Sequence, residues 1–134
     1  MEKYQALFDP LTIKRLTLKN RVIMPPMGTN FANQDGTFNE QHYSYYEQRA
    51  KGGTGLITLE NICIDYPLGT NGTTQLRMDK DQFIPGLWQF NERMHAYGAA
   101  TSVQINHAGA SAYQPRLQGV QAVSSSDIPS KAGN

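Results

Sequence analysis

The sequence has 134 residues, a formal net charge of +1 and 39% hydrophobic residues, which is enough for one ordinary domain with a core. The near-neutral charge gives no electrostatic reason to expect nucleic acid or an anionic membrane as a partner. The single cysteine, Cys63, excludes an internal disulfide framework and a cysteine-based metal cage within the chain, and we predict no metal site. No apolar run is long enough to cross a bilayer, and the N-terminus lacks the apolar region of a signal peptide, so we expect a cytoplasmic protein.

A hairpin and a strand are the first predicted elements in chain order. Apolar and polar residues alternate on both sides of the Lys14 and Arg15 turn, which predicts a small hairpin over residues 11–18. Residues 22–24 form a continuous apolar run, which is typical of a strand buried on both faces. Two prolines follow this run and end the strand, because neither can donate to a ladder.

A helix is predicted after the polar loop that follows the prolines. Asn39 is a favourable N-cap, and Gly52 or Gly53 can take the left-handed conformation that ends a helix. One helical face is apolar at a spacing of three and four residues: Tyr43, Tyr46 and Ala50. These tyrosines are expected to pack rather than to form an acidic cluster. His42 in the same helix, and His95 further on, are expected on the surface.

The second strand is predicted over residues 55–64, which are β-branched and apolar apart from Glu60 and Asn61. Two interpretations of Glu60 stay open, a general base and an ion pair inside the fold. A loop rich in Gly and Thr over residues 66–78 then leads to the next helix.

The second helix is predicted to begin near Asp79 or Asp81 and to end at Gly98, with Pro85 tolerated close to its start. Its inner face is expected to carry Leu87, Phe90, Met94 and Tyr97. The third strand is predicted over residues 100–106, where Val103 and Ile105 are typical of a buried strand. The tail from residue 108 carries no clear helical pattern.

The order of hairpin, strand, helix, strand, helix and strand indicates an α/β protein with parallel strands and right-handed crossovers. A doubly wound sheet and a part of a (β/α)₈ barrel both satisfy this order. A full barrel needs about 250 residues, so the barrel interpretation makes this chain a fragment that supplies three of the eight strands.

Polar or conformationally special residues stand at the carboxyl end of all three strands. The first strand runs into residues 25–29, the second carries Glu60 and Asn61, and the third ends in Gln104 and His107. Ligands bind at this edge in both architectures, so the sequence predicts a ligand site there. An amide both donates and accepts, so Gln104 suits a flat heterocycle with adjacent N–H and C=O groups. A core amide bonded to a neighbouring strand is the alternative, and His107 by itself indicates a structural histidine.

The sequence resembles the Old Yellow Enzyme family of FMN-dependent ene-reductases, in the branch of NADH:flavin oxidoreductases and 2,4-dienoyl-CoA reductases. The resemblance begins in LFDPLTIKRLTLKNRVIMPPMG and continues in YYEQRAKGGTGLITLE, QFIPGLWQFNERMHAYGA and VQINHAGASA, in order along nearly the whole chain. Family members are (β/α)₈ barrels with an N-terminal hairpin closing the bottom. The resemblance therefore implies that residues 1–134 are the N-terminal part of an FMN-binding TIM-barrel domain.

Five cofactor-binding positions follow from this resemblance. Pro26 and Met27 match residues whose backbone lines the flavin, and Asn61 matches a position that contacts the ring through its backbone. Gln104 matches the glutamine that bonds the pyrimidine edge of the ring. Gly28 stands where relatives often carry Thr or Cys, whose side chain meets the flavin. Either the next residue along the chain substitutes for that contact or no side chain makes it.

The resemblance also implies hydride transfer from NADH or NADPH through FMN to an activated alkene, such as an enone, an enoate or a dienoyl-CoA. The family's substrate-anchoring, proton-donating and phosphate-binding residues come later, so catalytic residues are expected beyond residue 134 and the isolated chain is expected to be inactive. Two alternatives stay open. One is an interaction module whose strand edges pair with a second copy, as a homo-oligomer, or with the missing barrel segments. The other is a non-flavin barrel enzyme, such as an isomerase or an aldolase.

Overall fold

The computed structural model describes residues 4–128 and 130–131. The extreme N-terminus, on which the signal-peptide expectation partly rests, and the end of the predicted tail lie outside these residues. The helices are α1 (Gln5–Phe8), α2 (Glu40–Lys51) and α3 (Ile84–His95), and the strands are β1 (Leu11–Ile13), β2 (Leu16–Leu18), β3 (Ile23–Met24), β4 (Leu56–Cys63) and β5 (Ala100–Asn106). The sequence pattern did not predict α1, which is a single turn. Over the described ranges, no helix has the length and apolar character needed to span a bilayer.

The N-terminal hairpin is present as predicted, with β1 and β2 paired antiparallel. Its exit is tied to the amino ends of the later strands. The Asn20 side chain donates to the Gly53 carbonyl at 2.7 Å and accepts from the Val22 N–H at 3.0 Å. Lys19 Nζ donates to the carbonyl of Tyr97 at 2.6 Å, just before β5. The hairpin therefore lies at the amino ends of β4 and β5, opposite the edge where the sequence predicts a ligand.

The main sheet has three parallel strands in the order β3–β4–β5. Helices α2 and α3 connect them and pack against each other, with the rings of Tyr46 and Phe90 5.3 Å apart. Both helices therefore cover the same face of the sheet. This arrangement is required in a barrel, and one half of a doubly wound sheet shows it as well.

A single apolar core lies between the sheet and the two helices. All three residues predicted for the inner face of α2 belong to it, and from α3 Phe90 and Met94 are buried with Leu87 at the margin. The prediction for Tyr97 is wrong. It follows the end of α3, where its exposed phenol donates to Glu47 instead of packing inward.

The helix ends follow the predicted capping residues. Asn39 Oδ1 accepts from the His42 N–H at 3.1 Å and so caps α2. Of the two candidate stop residues, Gly53 takes the left-handed conformation with φ 97°, whereas Gly52 stays helical. A short 3₁₀ turn, Asp81–Phe83, leads into α3. The tail contains two further 3₁₀ turns, Gly109–Ser111 and Gln114–Arg116, and otherwise irregular chain over its described part.

The two outer strands are less buried than their apolar sequences predict. Ile23 in β3, and Val103 and Ile105 in β5, are exposed, with 61% of the Ile105 surface open. Among the described residues, each of these strands has a hydrogen-bonded neighbour on one side only, because the sheet ends at β3 and at β5. The prediction of a strand buried on both faces is therefore wrong for β3, and the prediction of a buried strand is wrong at Val103 and Ile105 in β5. The side chains of β4 are buried or half-buried throughout.

Candidate functional site

The carboxyl edge of the sheet brings residues from all three strands together. Asn61 is the register partner of Gln104, and paired residues of neighbouring parallel strands point to the same face. A Cβ atom added to Gly28 would lie 3.4 Å from Asn61 Oδ1, which places the chain after β3 against the same side chain. Gly28, Asn61 and Gln104 therefore form one continuous row across the sheet.

Some hydrogen-bonding groups at this edge are free of partners within residues 4–128 and 130–131. The exposed Gln104 side chain bonds to none of these residues, and neither do the backbone N–H groups of Met27 and Gly28. Pro26, the second residue after β3, is half-buried, whereas Met27 is exposed. The edge therefore offers an amide that both donates and accepts, together with two backbone donors.

Asn61, by contrast, is engaged by the loop over residues 66–78. Its Nδ2 donates to Asn71 Oδ1 at 3.0 Å, and its carbonyl accepts from Gln75 Nε2 at 3.2 Å. The loop thereby encloses a polar cleft of about 140 Å³ at the carboxyl end of β4. The cleft is lined by Gly28, Asn30, Glu60, Asn61, Asn71, Gly72 and Gln75.

The hydroxyl of Thr29, the residue after Gly28, is bonded within the fold. It donates to Glu60 Oε1 at 3.1 Å and accepts from the Phe31 N–H at 3.2 Å. The hydroxyl is thus committed to the floor of the cleft. A hydroxyl bonded in this way is not free to supply the contact that the resemblance implies at this position.

The structure shows a buried His42–Glu60 pair that the sequence interpretation missed. His42 is 0% exposed and Glu60 2% exposed, and His42 Nε2 lies 2.6 Å from Glu60 Oε1. The prediction of a surface position for His42 is wrong because residue 42 lies one turn before Tyr46 on the buried face of α2, where the two rings stack. That four-residue spacing was the signal that could have identified it. Of the two interpretations of Glu60, the structure favours a buried pairing inside the fold, with His42 as the partner.

Neither Tyr46 nor Cys63 is poised for acid–base or nucleophilic chemistry. Burial raises the pKa of the Tyr46 phenol, and the neighbouring Glu60 carboxylate raises it further. The Tyr46 hydroxyl accepts from the backbone N–H of Glu60 at 3.1 Å, which is a structural role. Burial also raises the pKa of the Cys63 thiol, so the reactive thiolate is disfavoured.

The remaining histidines have the local roles expected of them. His107 Nδ1 accepts from the Gly109 N–H at 3.1 Å, and its Nε2 faces Asp65 Oδ2 at 3.3 Å, so the ring braces the turn after β5. His95 is exposed at the end of α3. In the described part of the chain, no three His, Cys, Asp or Glu side chains are grouped so that they could hold a metal ion.

A sequence model of the NADH:flavin oxidoreductase / NADH oxidase family matches residues 6–133. The chain belongs to this family. The N-terminal motifs that resemble Old Yellow Enzyme are therefore confirmed as family motifs.

Relatives and solved structures agree with this assignment. The NADH oxidase of Thermoanaerobacter brockii is 43% identical over 96% of the chain, and the cinnamate reductase of Clostridium sporogenes is 33% identical over 96% of it. The structure of the old yellow enzyme from Trypanosoma cruzi matches 95% of the chain with a TM-score of 0.82 and 27% identity. The fold is therefore a partial (β/α)₈ barrel, and the doubly wound alternative is set aside.

The chain spans only part of these proteins. It covers 20% of the T. brockii and C. sporogenes enzymes and 36% of the T. cruzi enzyme. Members of the family are FMN-dependent oxidoreductases that use NADH or NADPH, which confirms the predicted cofactors at the level of the family.

Proposed function

We propose that this chain supplies part of the flavin platform of an NAD(P)H-dependent FMN oxidoreductase that reduces activated alkenes. The observation that carries the proposal is the free amide of Gln104, in register with Asn61 and beside Gly28, at the carboxyl edge of a barrel-type sheet. In barrels, this is the edge at which ligands bind.

The groups at this edge fit an isoalloxazine ring. The ring has adjacent N–H and C=O groups along its pyrimidine side, and the Gln104 amide can pair with both. The free N–H groups of Met27 and Gly28 supply further donors, and Gly28 adds no side chain between backbone and ring. Pro26, Met27, Gly28, Asn61 and Gln104 would hold the cofactor. Bound FMN supplies the hydride chemistry, while these residues bind and orient it.

The alkene part of the proposal is supported by the relative named cinnamate reductase, because cinnamate is an alkene conjugated to a carboxylate. We extend this to the enone, enoate and dienoyl-CoA class. The residues that anchor the substrate, donate the proton and bind the flavin phosphate are proposed to lie in the part of the barrel beyond this chain.

The two outer strands support a place within a larger barrel. The open edges of β3 and β5 would each pair with a further strand, and the exposed Val103 and Ile105 would then be covered by the helix that follows. The isolated chain is proposed to be inactive because it supplies one side of the ring site only. A self-pairing module is the second candidate, and the same exposed edges are the observation that favours it.

Gln104→Ala in the full-length protein that contains this sequence tests the flavin assignment. Each neutral hydrogen bond is worth about 0.5–1.5 kcal/mol, and about 1.4 kcal/mol corresponds to a factor of ten in affinity. We therefore expect the Kd for FMN, measured by quenching of FMN fluorescence, to rise roughly tenfold.

Gln89→Ala is the matched control, because Gln89 is an exposed glutamine on α3, far in sequence from the edge residues. It should leave the FMN affinity unchanged. An unaltered FMN affinity in Gln104→Ala would contradict the assignment of this edge, whereas a wild-type protein that binds no FMN would favour a non-flavin barrel enzyme.

A further inference from the structure

Strand β4 contains an irregularity at Glu60. Leu59 pairs with Val103 and Asn61 pairs with Gln104, so Glu60 is an extra residue without a register partner on β5. Such bulges redirect a side chain and are frequent beside active sites. Here the bulge sends the Glu60 carboxylate beneath the cleft towards α2, while Asn61 stays in the row with Gln104.

The Glu60 carboxylate is surrounded by hydrogen-bond donors. It accepts from the backbone N–H of Thr29, from the Thr29 hydroxyl at 3.1 Å and from His42 Nε2 at 2.6 Å. Three donors on two oxygens describe a carboxylate that acts as an acceptor only. Both oxygens of Glu60 are therefore bonded to neighbouring groups of the fold, which argues against a role as a general acid or base.

The hydrogen-bonding state of the His42 ring is consistent with donation to Glu60. Its Nδ1 is buried and has no hydrogen-bond partner within the described residues. A hydrogen on Nδ1 would be a buried donor without an acceptor, which costs about 1–3 kcal/mol. The ring therefore carries its hydrogen on Nε2 and donates it to Glu60. Asn39 holds the backbone of His42 in place, because its side chain caps α2 by accepting from the His42 N–H.

The geometry points to Glu60 as a positioning residue that holds the Pro26–Gly28 backbone and the bulge of β4 in place for the flavin ring. Thr29 follows Gly28 directly, and both of its hydrogen-bonding groups are fixed by Glu60. The same residue lines the floor of the cleft with Gly28 and Asn61. This inference rests on the proposed FMN function. In it, the Glu60 carboxylate also places a negative charge beneath the ring site.

Glu60→Gln in the full-length FMN-loaded protein is the test. The glutamine amide keeps the shape of the carboxylate, but its NH₂ group is a donor and cannot accept from the surrounding donors. The hydrogen bonds that hold Thr29 are therefore weakened. We expect the Kd for FMN to rise about tenfold and the visible absorption band of bound FMN to shift. Removing a negative charge also favours the reduced, more negatively charged flavin, so the midpoint potential should become more positive.

Glu40→Gln is the matched control, because Glu40 is an exposed carboxylate paired with Arg93 on the outer side of α2 and α3. It should change neither the spectrum nor the potential. Thr29→Val is the milder second variant. It keeps the backbone N–H bond and the Glu60 carboxylate and removes only the hydroxyl. The rise in the Kd for FMN and the spectral shift should therefore appear with smaller size, even where Glu60→Gln fails to fold.

The outcomes separate this inference from the function on which it rests. A wild-type protein that binds no FMN overturns both. If the wild-type protein binds FMN but the FMN affinity and spectrum are unchanged in both Thr29→Val and folded Glu60→Gln, the positioning role alone is overturned. A loss of thermal stability with no change in the FMN affinity, spectrum or midpoint potential would show a purely structural role and would also overturn the positioning role.

Discussion

At the scale of single residues, two glycines near the sheet differ in the space around them. A Cβ atom on Gly55 would lie 2.7 Å from the carbonyl oxygen of Asn20 and would also strike the Asn20 side chain. A Cβ atom on Gly28 would meet Asn61 at an ordinary contact distance of 3.4 Å. Gly55 is therefore required by the close approach of the hairpin exit, whereas Gly28 leaves open room at the cleft.

We expect Gly55→Ala to destabilise the full-length protein by about 1–3 kcal/mol, the usual cost of forcing extra atoms into a packed site. Asn20 must move, which breaks its bonds to Gly53 and Val22. The midpoint of thermal unfolding measures this. Gly28→Ala is the matched substitution and should leave the midpoint nearly unchanged. Equal losses in the two variants would contradict the assigned role of Gly55.

Local sequence patterns predicted the ends of α2 but could not predict the buried pair beside the cleft. The cap at Asn39 and the stop at Gly53 depend on a few neighbouring residues, so the sequence carries enough information for them. The His42–Glu60 pair depends on how two distant elements dock. Only the register of β4 on β5 brings Glu60 to face α2, and no local pattern encodes that register.

At the scale of elements, Arg77 stabilises the loop over residues 66–78 that borders the cleft. Its guanidinium forms two hydrogen bonds to Asp79, at 2.8 Å and 2.7 Å, and stacks 3.9 Å from the centre of the Tyr66 ring. The hydrogen bonds from Arg77 hold the pKa of Asp79 below its ordinary value of 3.8. The far end of the loop is thereby tied to its beginning.

The pH dependence of stability should follow from this pair. Because the pKa of Asp79 is lowered by folding, its stabilisation is present above the ordinary value of 3.8 and is lost as the pH falls through the lower folded value. Asp79→Asn should therefore cost about 1–2 kcal/mol at pH 7, and the difference from wild type should shrink below about pH 4. Thermal midpoints of the full-length protein between pH 3 and pH 7 measure this.

Asp127→Asn is the control for that series, because Asp127 is an exposed aspartate in the tail. Its midpoints should track those of the wild type throughout. A difference between Asp79→Asn and wild type that stays constant down to pH 3 would show that the ion pair does not account for the stabilisation.

The predicted elements agree with the structure where each carries its own pattern. The hairpin, both long helices and β4 and β5 lie within a few residues of their predicted ranges. The burial of β3 and β5 was predicted less well. An apolar run such as residues 22–24 indicates that a strand is covered on both faces in the complete fold. It does not report how many neighbours are present in this chain.

At the scale of the whole molecule, the isolated chain presents two open sheet edges with apolar side chains beside them. Such edges pair readily with other chains. We expect the purified 134-residue chain to show a light-scattering mass that rises with concentration above the 14.9 kDa of a monomer. The same preparation, mixed with FMN, NADH and an enone, should show no alkene-dependent loss of NADH.

Ile105→Lys tests which surface is responsible, since a lysine on an edge strand discourages pairing. This variant should move the mass towards that of a monomer. Ile84→Lys, an equally drastic change at an exposed position on α3, should not. A wild-type chain that stays monomeric at high concentration would contradict self-association, and robust turnover by the isolated chain would contradict the proposed inactivity.

Barrel closure is the property that three strands cannot encode. Parallel strands in sequential order with helices on one face occur in a barrel sector and in half of a doubly wound sheet. The resemblance in the sequence motifs pointed to the barrel, and the match to the T. cruzi enzyme settles the fold.

The extra residue at Glu60 also divides β4 into two stretches that are out of phase with each other. Leu59 and Glu60 both belong to the helix side, so the alternation of faces restarts at Asn61. Exchange of segments with family relatives should therefore use junctions outside residues 59–61. A crossover that dropped or duplicated one residue there would invert the remaining side chains of β4, so Asn61 would no longer lie in one row with Gly28 and Gln104.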